Sequence, residues 1–210
     1  MNEAFRIHAP SAPLRQSPGI VNSARSRFAH FGYAKTSMRE IADDCSMSPA
    51  NLYRFYPGKL AIATAVVEDG RNALFRACDD AIAAALPSPV ARLSALFLTL
   101  IDQTRRQIVE EPLLFELGLI VSREAPASRL SLLEQSRTRI RSILGEALPP
   151  PPDLDRAATL VHLASAPFVL PWMLANQPFG DVRSQVPEFV AGLFGGLSSL
   201  HAGSPISQLS

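Results

Sequence analysis

Side chains that can hydrogen-bond to nucleic acid are concentrated in the stretch from Thr36 to Lys59. Its second half is predicted to form a short helix whose outer face carries a hydroxyl, an amide, a phenol and a guanidinium, from Ser48, Asn51, Tyr53 and Arg54. Groups of these kinds bond to the phosphate oxygens and base edges of double-stranded DNA. The pattern therefore favours DNA binding as the chemistry of this stretch.

No competing catalytic or metal-binding pattern stands out in the sequence. The four histidines are scattered, and no HExxH, GxSxG or glycine-rich phosphate-loop motif occurs. Cys45 and Cys78 are too far apart for a metal-type spacing, and Cys45 is predicted to be a buried, reduced thiol in a cytoplasmic protein. We therefore expect no catalytic residues, no metal and no cofactor. An enzyme with an accessory DNA-binding part is the alternative, which a bound metal or cofactor would reveal.

Two short helices joined by a tight turn are predicted to position the polar groups. Ser37 and Glu40 have the spacing of a capping box, which marks a helix N-terminus. Ser48 is a second N-cap, with Pro49 at the first helical position, and Pro57-Gly58 ends that helix. This arrangement is a helix-turn-helix pattern.

The charge distribution agrees with a DNA-binding N-terminal part. Residues 1–60 hold 8 Lys and Arg against 4 Asp and Glu, whereas residues 61–210 hold 12 against 15. Residues 1–60 are basic and residues 61–210 are mildly acidic, so we expect a polyanionic partner to bind the first segment only. A further helix, predicted from about Pro18 to Phe31 and ended by Gly32, would pack behind the other two.

The stretch from about residue 18 to 60 resembles the DNA-binding domain of the TetR (tetracycline-repressor) family. The family's pattern FxxxGY…T[ST]xxxIA…S…LYxxFxxK is matched in order and spacing by Phe28 to Tyr33, Thr36 to Ala42 and Ser48 to Lys59. The remainder of the chain resembles the family only in length and helical character. The resemblance implies a dimeric, ligand-responsive transcriptional regulator.

The resemblance also implies which residues contact DNA. Arg39 matches a position that reaches a base or phosphate, Tyr53 matches the family's most typical contact, and Lys59 matches a phosphate-binding lysine. Pro49, Ala50 and Asn51 match positions at the floor of the major groove, where Asn51 can pair with adenine. The predicted DNA-binding set is Ser37, Arg39, Ser48, Pro49, Ala50, Asn51, Tyr53, Arg54, Tyr56 and Lys59.

Three residues depart from the family's usual pattern. Phe55 stands where a phosphate-binding histidine is common, so that imidazole is absent. Tyr56 can either restore a hydroxyl to the DNA-binding surface or cap the core. Ser46 stands where a turn glycine is common, and it must adopt the backbone conformation that the turn demands.

The remaining sequence is predicted to be all-α, since no strand-period run occurs. Helices are expected at about residues 59–86, 90–109, 113–122, 126–147 and 184–201. The charge-free stretch from Ala157 to Gly180 is long enough to be tested as a membrane span, but Pro167 and Pro171 interrupt it. We therefore expect a buried segment and no membrane partner. The predicted domains are an N-terminal three-helix head at 18–60 and a larger helical ligand-binding and dimerisation body at 61–202, between disordered tails at 1–17 and 203–210.

The last two helices are predicted to form a homodimer interface. They carry more apolar surface than one subunit can easily cover, and glycines there would allow close approach. The resemblance points the same way, whereas the alternative is that the glycines only loosen a terminal helix. The predicted interface residues are Phe168, Trp172, Phe189, Gly192, Leu193 and Gly196.

The body is also the expected site of an effector. Residues that mix aromatic surface with polar groups are candidates for a pocket, although a core, interface or solvated role is the simpler interpretation of each: Phe97, Arg105, Phe115, Glu116, His162, Phe168 and Trp172. The predicted function is a repressor that binds a palindromic operator as a homodimer and is released by a small, apolar effector. The alternative is a ligand-independent DNA-binding scaffold that acts through protein partners.

Overall fold

The computed structural model describes residues 18–147, 153–166 and 182–201, which contain helices and no strand. The prediction of an all-α chain is thus confirmed. The helices are α1 (Pro18–Phe31), α2 (Met38–Asp44), α3 (Pro49–Phe55), α4 (Lys59–Ala84), α5 (Pro89–Glu110), α6 (Pro112–Glu124), α7 (Pro126–Ala147), α8 (Leu154–Ala164) and α9 (Val182–His201).

The helix ends follow the local signals in the sequence. The capping box is present, since the Ser37 N–H donates to Glu40 Oε2 at 2.8 Å and the Glu40 N–H donates to Ser37 Oγ at 3.3 Å. Ser48 Oγ accepts the N–H of Asn51 at 3.2 Å. Gly32 ends α1 with φ +78°, a left-handed conformation that glycine adopts without steric cost.

One apolar cluster, the head cluster, holds the N-terminal head together. It combines residues of α1, α2 and α3 with the first half of α4 and one face of α6. Its buried members are Ile20, Val21, Ala24, Phe28, Met38, Ile41, Ala42, Leu52, Tyr56, Ile62, Ala63, Ala65, Val66, Leu114, Leu117 and Val121. The head therefore does not stop at residue 60, because α4 and α6 complete its core.

A second apolar cluster, the body cluster, is formed by the rest of α4 with α5, α7, α8 and α9. Phe97 is one of its fully buried members, and its ring centroid is 6.3 Å from that of Phe189 on α9. Helix α4 is shared by both clusters, since it places Ile62 and Val66 in the head cluster and Phe75 and Cys78 in the body cluster. Its 26 residues span about 39 Å. The head and the body are thus built on one continuous helix.

No helix within the described ranges is long and apolar enough to cross a membrane. Several predicted features lie outside those ranges: the two tails, and the pocket and interface residues Phe168 and Trp172.

Candidate nucleic-acid interface

Helix α3 presents the predicted DNA-contacting side chains on its outer face. Ala50 and Arg54 are exposed, and Tyr53 is 52% exposed although it is a large aromatic residue. Pro49 and Asn51 are half-buried. Leu52, on the opposite side of the helix, is fully buried in the head cluster. Burial of that one face fixes α3 on the head and leaves the amide, phenol and guanidinium groups at the surface.

The beginning of α2 adds further polar groups to the surface. Ser37 and Arg39 are exposed, and Ser48 is exposed at the beginning of α3. Both serine hydroxyls already cap their helices by accepting backbone N–H groups. The N-terminal ends of α2 and α3 and the Arg39 side chain are therefore each accessible to a phosphate group.

Arg27 ties α1 to α2. Its Nε and Nη2 donate to the two carboxylate oxygens of Asp44 at 2.5 and 2.7 Å, and Nη1 lies 3.2 Å from Glu40. The hydrogen bond from Arg27 lowers the pKa of Asp44, and hydrogen bonds from Ser37 lower that of Glu40. The guanidinium therefore neutralises two acidic groups of α2. Sequence reasoning missed this role, because no local signal pairs Arg27 with a carboxylate 17 residues away.

Lys59 does not present a free ammonium group to DNA. It is half-buried at the start of α4, and its Nζ donates to the carbonyl oxygens of Tyr33 at 2.8 Å and Thr36 at 2.9 Å. The same nitrogen lies 4.2 Å from the centroid of the Tyr33 ring. Two of the three ammonium protons are thus taken by carbonyl oxygens, and the ring face of Tyr33 lies beside the cation. The prediction of a phosphate-binding side chain is therefore corrected: in this structure Lys59 holds the α1–α2 loop.

Tyr56 is a second correction to the predicted DNA-binding set. It is 4% exposed, and its hydroxyl is buried with no hydrogen-bond partner in the described part of the chain. Burial raises the pKa of this phenol. Of the two alternatives left by the sequence, the structure selects the one in which Tyr56 caps the core. The ring cannot reach DNA because the head cluster encloses it.

The predicted pocket residues lie in different surroundings. Phe97 is 1% exposed in the body cluster. Phe115 is half-buried and Glu116 is exposed on α6, whose other face belongs to the head cluster. His162 on α8 is half-buried, and burial and nearby Arg137 lower its pKa. Arg105 is half-buried on α5. These residues do not form one cluster, so the pocket stays a prediction.

The predicted interface residues on α9 divide into two groups. Phe189 and Leu193 pack against the body cluster of their own subunit. Gly192 and Gly196 are exposed, and an added Cβ at either would meet no atom within 4 Å. The side chains of Phe189 and Leu193 are only half-buried there, so their part in an intermolecular contact stays a prediction. Within the described ranges, no group of His, Cys, Asp and Glu residues is arranged to hold a metal ion.

The head matches a known family. The model of bacterial regulatory proteins of the tetR family matches residues 20–66. These residues run from the first turn of α1 to the first half of α4 and include every predicted DNA-contacting residue. No curated protein sequence is significantly similar to the chain.

Solved structures share the fold over most of the chain. A transcriptional regulator from Pseudomonas aeruginosa PAO1 is 19% identical with a TM-score of 0.63, over 88% of this chain and 93% of that one. The TetR family repressor FadR of Thermus thermophilus, solved with lauroyl-CoA, is 21% identical with a TM-score of 0.60, over 85% and 93%. RolR, solved with resorcinol, is 18% identical with a TM-score of 0.57, over 91% and 94%.

Proposed function

We propose a regulatory cycle for this chain, which belongs to the tetR family of bacterial regulatory proteins: a homodimer binds a palindromic operator, and a small effector releases it. Members of the family are DNA-binding transcriptional regulators and not enzymes. The observation that carries the proposal is the exposed face of α3, where Tyr53 and Arg54 project from a helix anchored by fully buried Leu52. A helix held in this way can enter the major groove as a rigid element.

The homodimer is supported by the exposed surfaces of α8 and α9. Leu160 and Leu163 on α8 are 44% and 64% exposed, and a three-residue spacing places them on the same side of a helix. On α9 the exposed glycines Gly192 and Gly196 would permit close approach of another backbone. A two-fold axis through these helices would bury the leucines of both subunits in a four-helix interface.

The effector is supported by the construction of the chain around α4 and by its structural relatives. Since α4 belongs to both clusters, a ligand that displaces its body half also displaces its head half. Two relatives of the same fold were solved with small molecules, lauroyl-CoA and resorcinol. We infer that the body of this chain binds a small organic molecule with apolar surface, and that binding changes the spacing of the two heads.

Selection of bound duplexes from a random DNA pool tests the DNA-binding half of the proposal. The full-length chain is expected to enrich a palindrome with half-sites about 34 Å, or a multiple of this, apart. An Arg39→Ala, Tyr53→Ala variant should lose this enrichment. Arg76→Ala, which removes an exposed arginine from the body half of α4, should retain it.

The outcomes separate the parts of the proposal. A single asymmetric half-site would contradict the homodimer. Enrichment that survives in the Arg39→Ala, Tyr53→Ala variant would contradict the assignment of α2 and α3 as the reading surface. The recovered operator then serves as the probe for effectors by fluorescence anisotropy. An operator affinity that no small molecule changes would favour a ligand-independent scaffold.

A further inference from the structure

Two buried polar side chains, Arg71 and Ser128, lie at the boundary between the head cluster and the body cluster. On α4, Arg71 occupies the interval between Val66 of the head cluster and Phe75 of the body cluster. Arg71 is 9% exposed, and Ser128 on α7, which contacts it, is 5% exposed. Buried polar residues are few in the described ranges, and Arg71 lies at the middle of the helix that both clusters share.

The Arg71 guanidinium is only partly satisfied by its neighbours. Nη1 donates to the Ser128 carbonyl oxygen at 2.7 Å and to Ser128 Oγ at 3.3 Å. Nη2 lies 3.5 Å from Glu68 Oε1. The Nε–H is buried and has no acceptor within the described part of the chain. A buried donor without a partner is uncommon in folded proteins and calls for a specific explanation, such as a ligand.

The positive charge is also weakly compensated. The Glu68 side chain is 35% exposed, so solvent screens its attraction for the guanidinium. Ser128 lies in the first turn of α7, the end of a helix that carries a partial positive charge and cannot neutralise a cation. Burial lowers the pKa of Arg71, with a smaller opposite contribution from Glu68. The surroundings thus stabilise the cation less than water does, although an arginine remains charged at neutral pH.

We propose that Arg71 binds the carboxylate of the effector, which makes the effector a small organic acid with an apolar body. The proposal rests on the regulatory function proposed above and specifies its ligand class. A planar guanidinium offers adjacent N–H donors, and a carboxylate accepts two of them side by side. The free Nε–H supplies one such donor, and the loosely held Nη2 supplies the other. The apolar part of the acid would face the body cluster, which begins one turn along α4 at Phe75.

The position of Arg71 gives the ligand a route to the DNA-binding head. A carboxylate that takes Nη2 from Glu68 pulls on the same guanidinium that holds Ser128 of α7 through Nη1, so it changes how α4 is held against α7. Helix α4 carries Ile62 and Val66 of the head cluster, so this change reaches the core on which α2 and α3 are packed. A ligand that binds one arrangement of α4 better than the other shifts the equilibrium between the two.

Thermal unfolding of the full-length chain with matched acid and amide pairs tests the proposal. The probes are benzoate against benzamide and octanoate against octanamide, at constant ionic strength. At least one acid is expected to raise the melting temperature more than its amide, because binding to the folded state stabilises it. In Arg71→Gln this acid should bind about tenfold to hundredfold more weakly, as for the loss of a charge-assisted bond. Arg76→Gln, an exposed arginine of the same helix, should behave as wild type.

Three results would overturn the proposal: no acid shifts the wild-type melting temperature, acid and amide act alike, or Arg71→Gln keeps the preference for the acid. If Arg71→Gln does not fold, Glu68→Gln provides the second test. It removes the competing carboxylate and keeps the arginine, so acid binding should tighten; unchanged or weaker binding counts against the site.

The melting experiment contains no DNA, so it separates this proposal from the regulatory function. Acid binding at Arg71 without any effect on operator affinity would contradict the regulatory cycle and leave the carboxylate site in place. Release of the operator by a neutral effector, with equal potency in wild type and Arg71→Gln, would support the regulatory cycle and contradict the carboxylate site.

Discussion

Arg25 on α1 and Glu111 at the α5–α6 junction form an ion pair across 86 residues of sequence, with Arg25 Nη2 at 2.8 and 3.0 Å from the two carboxylate oxygens. The guanidinium also lies against α4, because a Cβ added to Gly70 would be 3.6 Å from Arg25 Nη1. Close by along the chain, Leu113 approaches Gly32 at the end of α1, with its Cδ2 3.4 Å from the position of an added Cβ. The first helix of the head is thus held against α4 and the start of α6.

Glu111→Gln is expected to weaken operator binding about threefold to tenfold, because the pair orients the head on the body. The side chains are 35% and 40% exposed, so the free energy of unfolding should change by less than about 1 kcal/mol. Removing a negative charge would by itself strengthen DNA binding, so weaker binding cannot be an electrostatic effect. Anisotropy titration and urea unfolding measure the two quantities. Glu110→Gln, at the exposed neighbouring residue, is the control; equal effects of both variants would contradict the orienting role.

Lys59→Met is expected to destabilise the chain by about 1–3 kcal/mol, since the carbonyls of Tyr33 and Thr36 lose their donor. The slope of log Kobs against log salt concentration for operator binding should remain that of wild type. Loss of a phosphate contact would instead reduce the slope by about one. Measuring unfolding and the salt dependence of binding in the same variant distinguishes the two roles. A reduced slope with unchanged stability would restore the phosphate contact predicted from the sequence.

Ser46→Gly is expected to raise the free energy of unfolding by about 0.5–1 kcal/mol. Ser46 has φ +54°, which costs an L-residue about 1–2 kcal/mol and which glycine adopts without this cost. Glycine also makes the unfolded chain more flexible, which cancels part of the stabilisation. Urea unfolding measures the change. Ser46→Ala keeps the Cβ and should bring no gain, so equal stabilisation by both substitutions would rule out backbone strain as the cause.

Asp44→Asn is expected to destabilise the head at neutral pH and to have less effect in acid. The hydrogen bond from Arg27 lowers the pKa of Asp44 below its ordinary value of 3.8. A carboxyl whose pKa is lower in the folded state contributes stability that is complete above the ordinary value and is lost as pH falls through the lowered one. Unfolding at pH 6 and pH 3 compares the variant with wild type. Asp43→Asn, at an exposed neighbour, is the control; a pH-independent difference for Asp44→Asn would contradict the ion pair.

Cys78 is expected to resist thiol reagents in the folded protein. It is fully buried, and burial raises the pKa of its thiol to about 12, so almost no thiolate forms at pH 8. Cys45 is half-buried and should react first. Titration with a disulfide reagent should modify one thiol in native protein and the second only in denaturant. Cys45→Ser should abolish the native reaction, and rapid modification of both thiols would show that the body cluster opens readily.

The ends of the helices could be predicted from the sequence because the interactions that set them are local. The capping box of Ser37 and Glu40 and the cap of Ser48 on Asn51 each join residues three positions apart. The turn conformation of Ser46 and the left-handed Gly32 follow in the same way from neighbouring helix ends. The exposed face of α3 that is proposed to read DNA also follows locally, since burial of Leu52 places Tyr53 and Arg54 outside.

The amino-acid sequence alone thus determined the helices, the helix-turn-helix motif and the outer face of α3, because each depends on contacts within one or two turns. Only the tertiary structure decided whether a side chain that could either contact a ligand or stabilise the fold does the second. Lys59 donates hydrogen bonds to carbonyl oxygens 23 and 26 residues away, Tyr56 is buried in the head cluster, and Arg25 forms an ion pair with Glu111. Buried polar groups form hydrogen bonds with the partners that packing brings close to them. A local sequence pattern does not specify which distant helix will pack nearby.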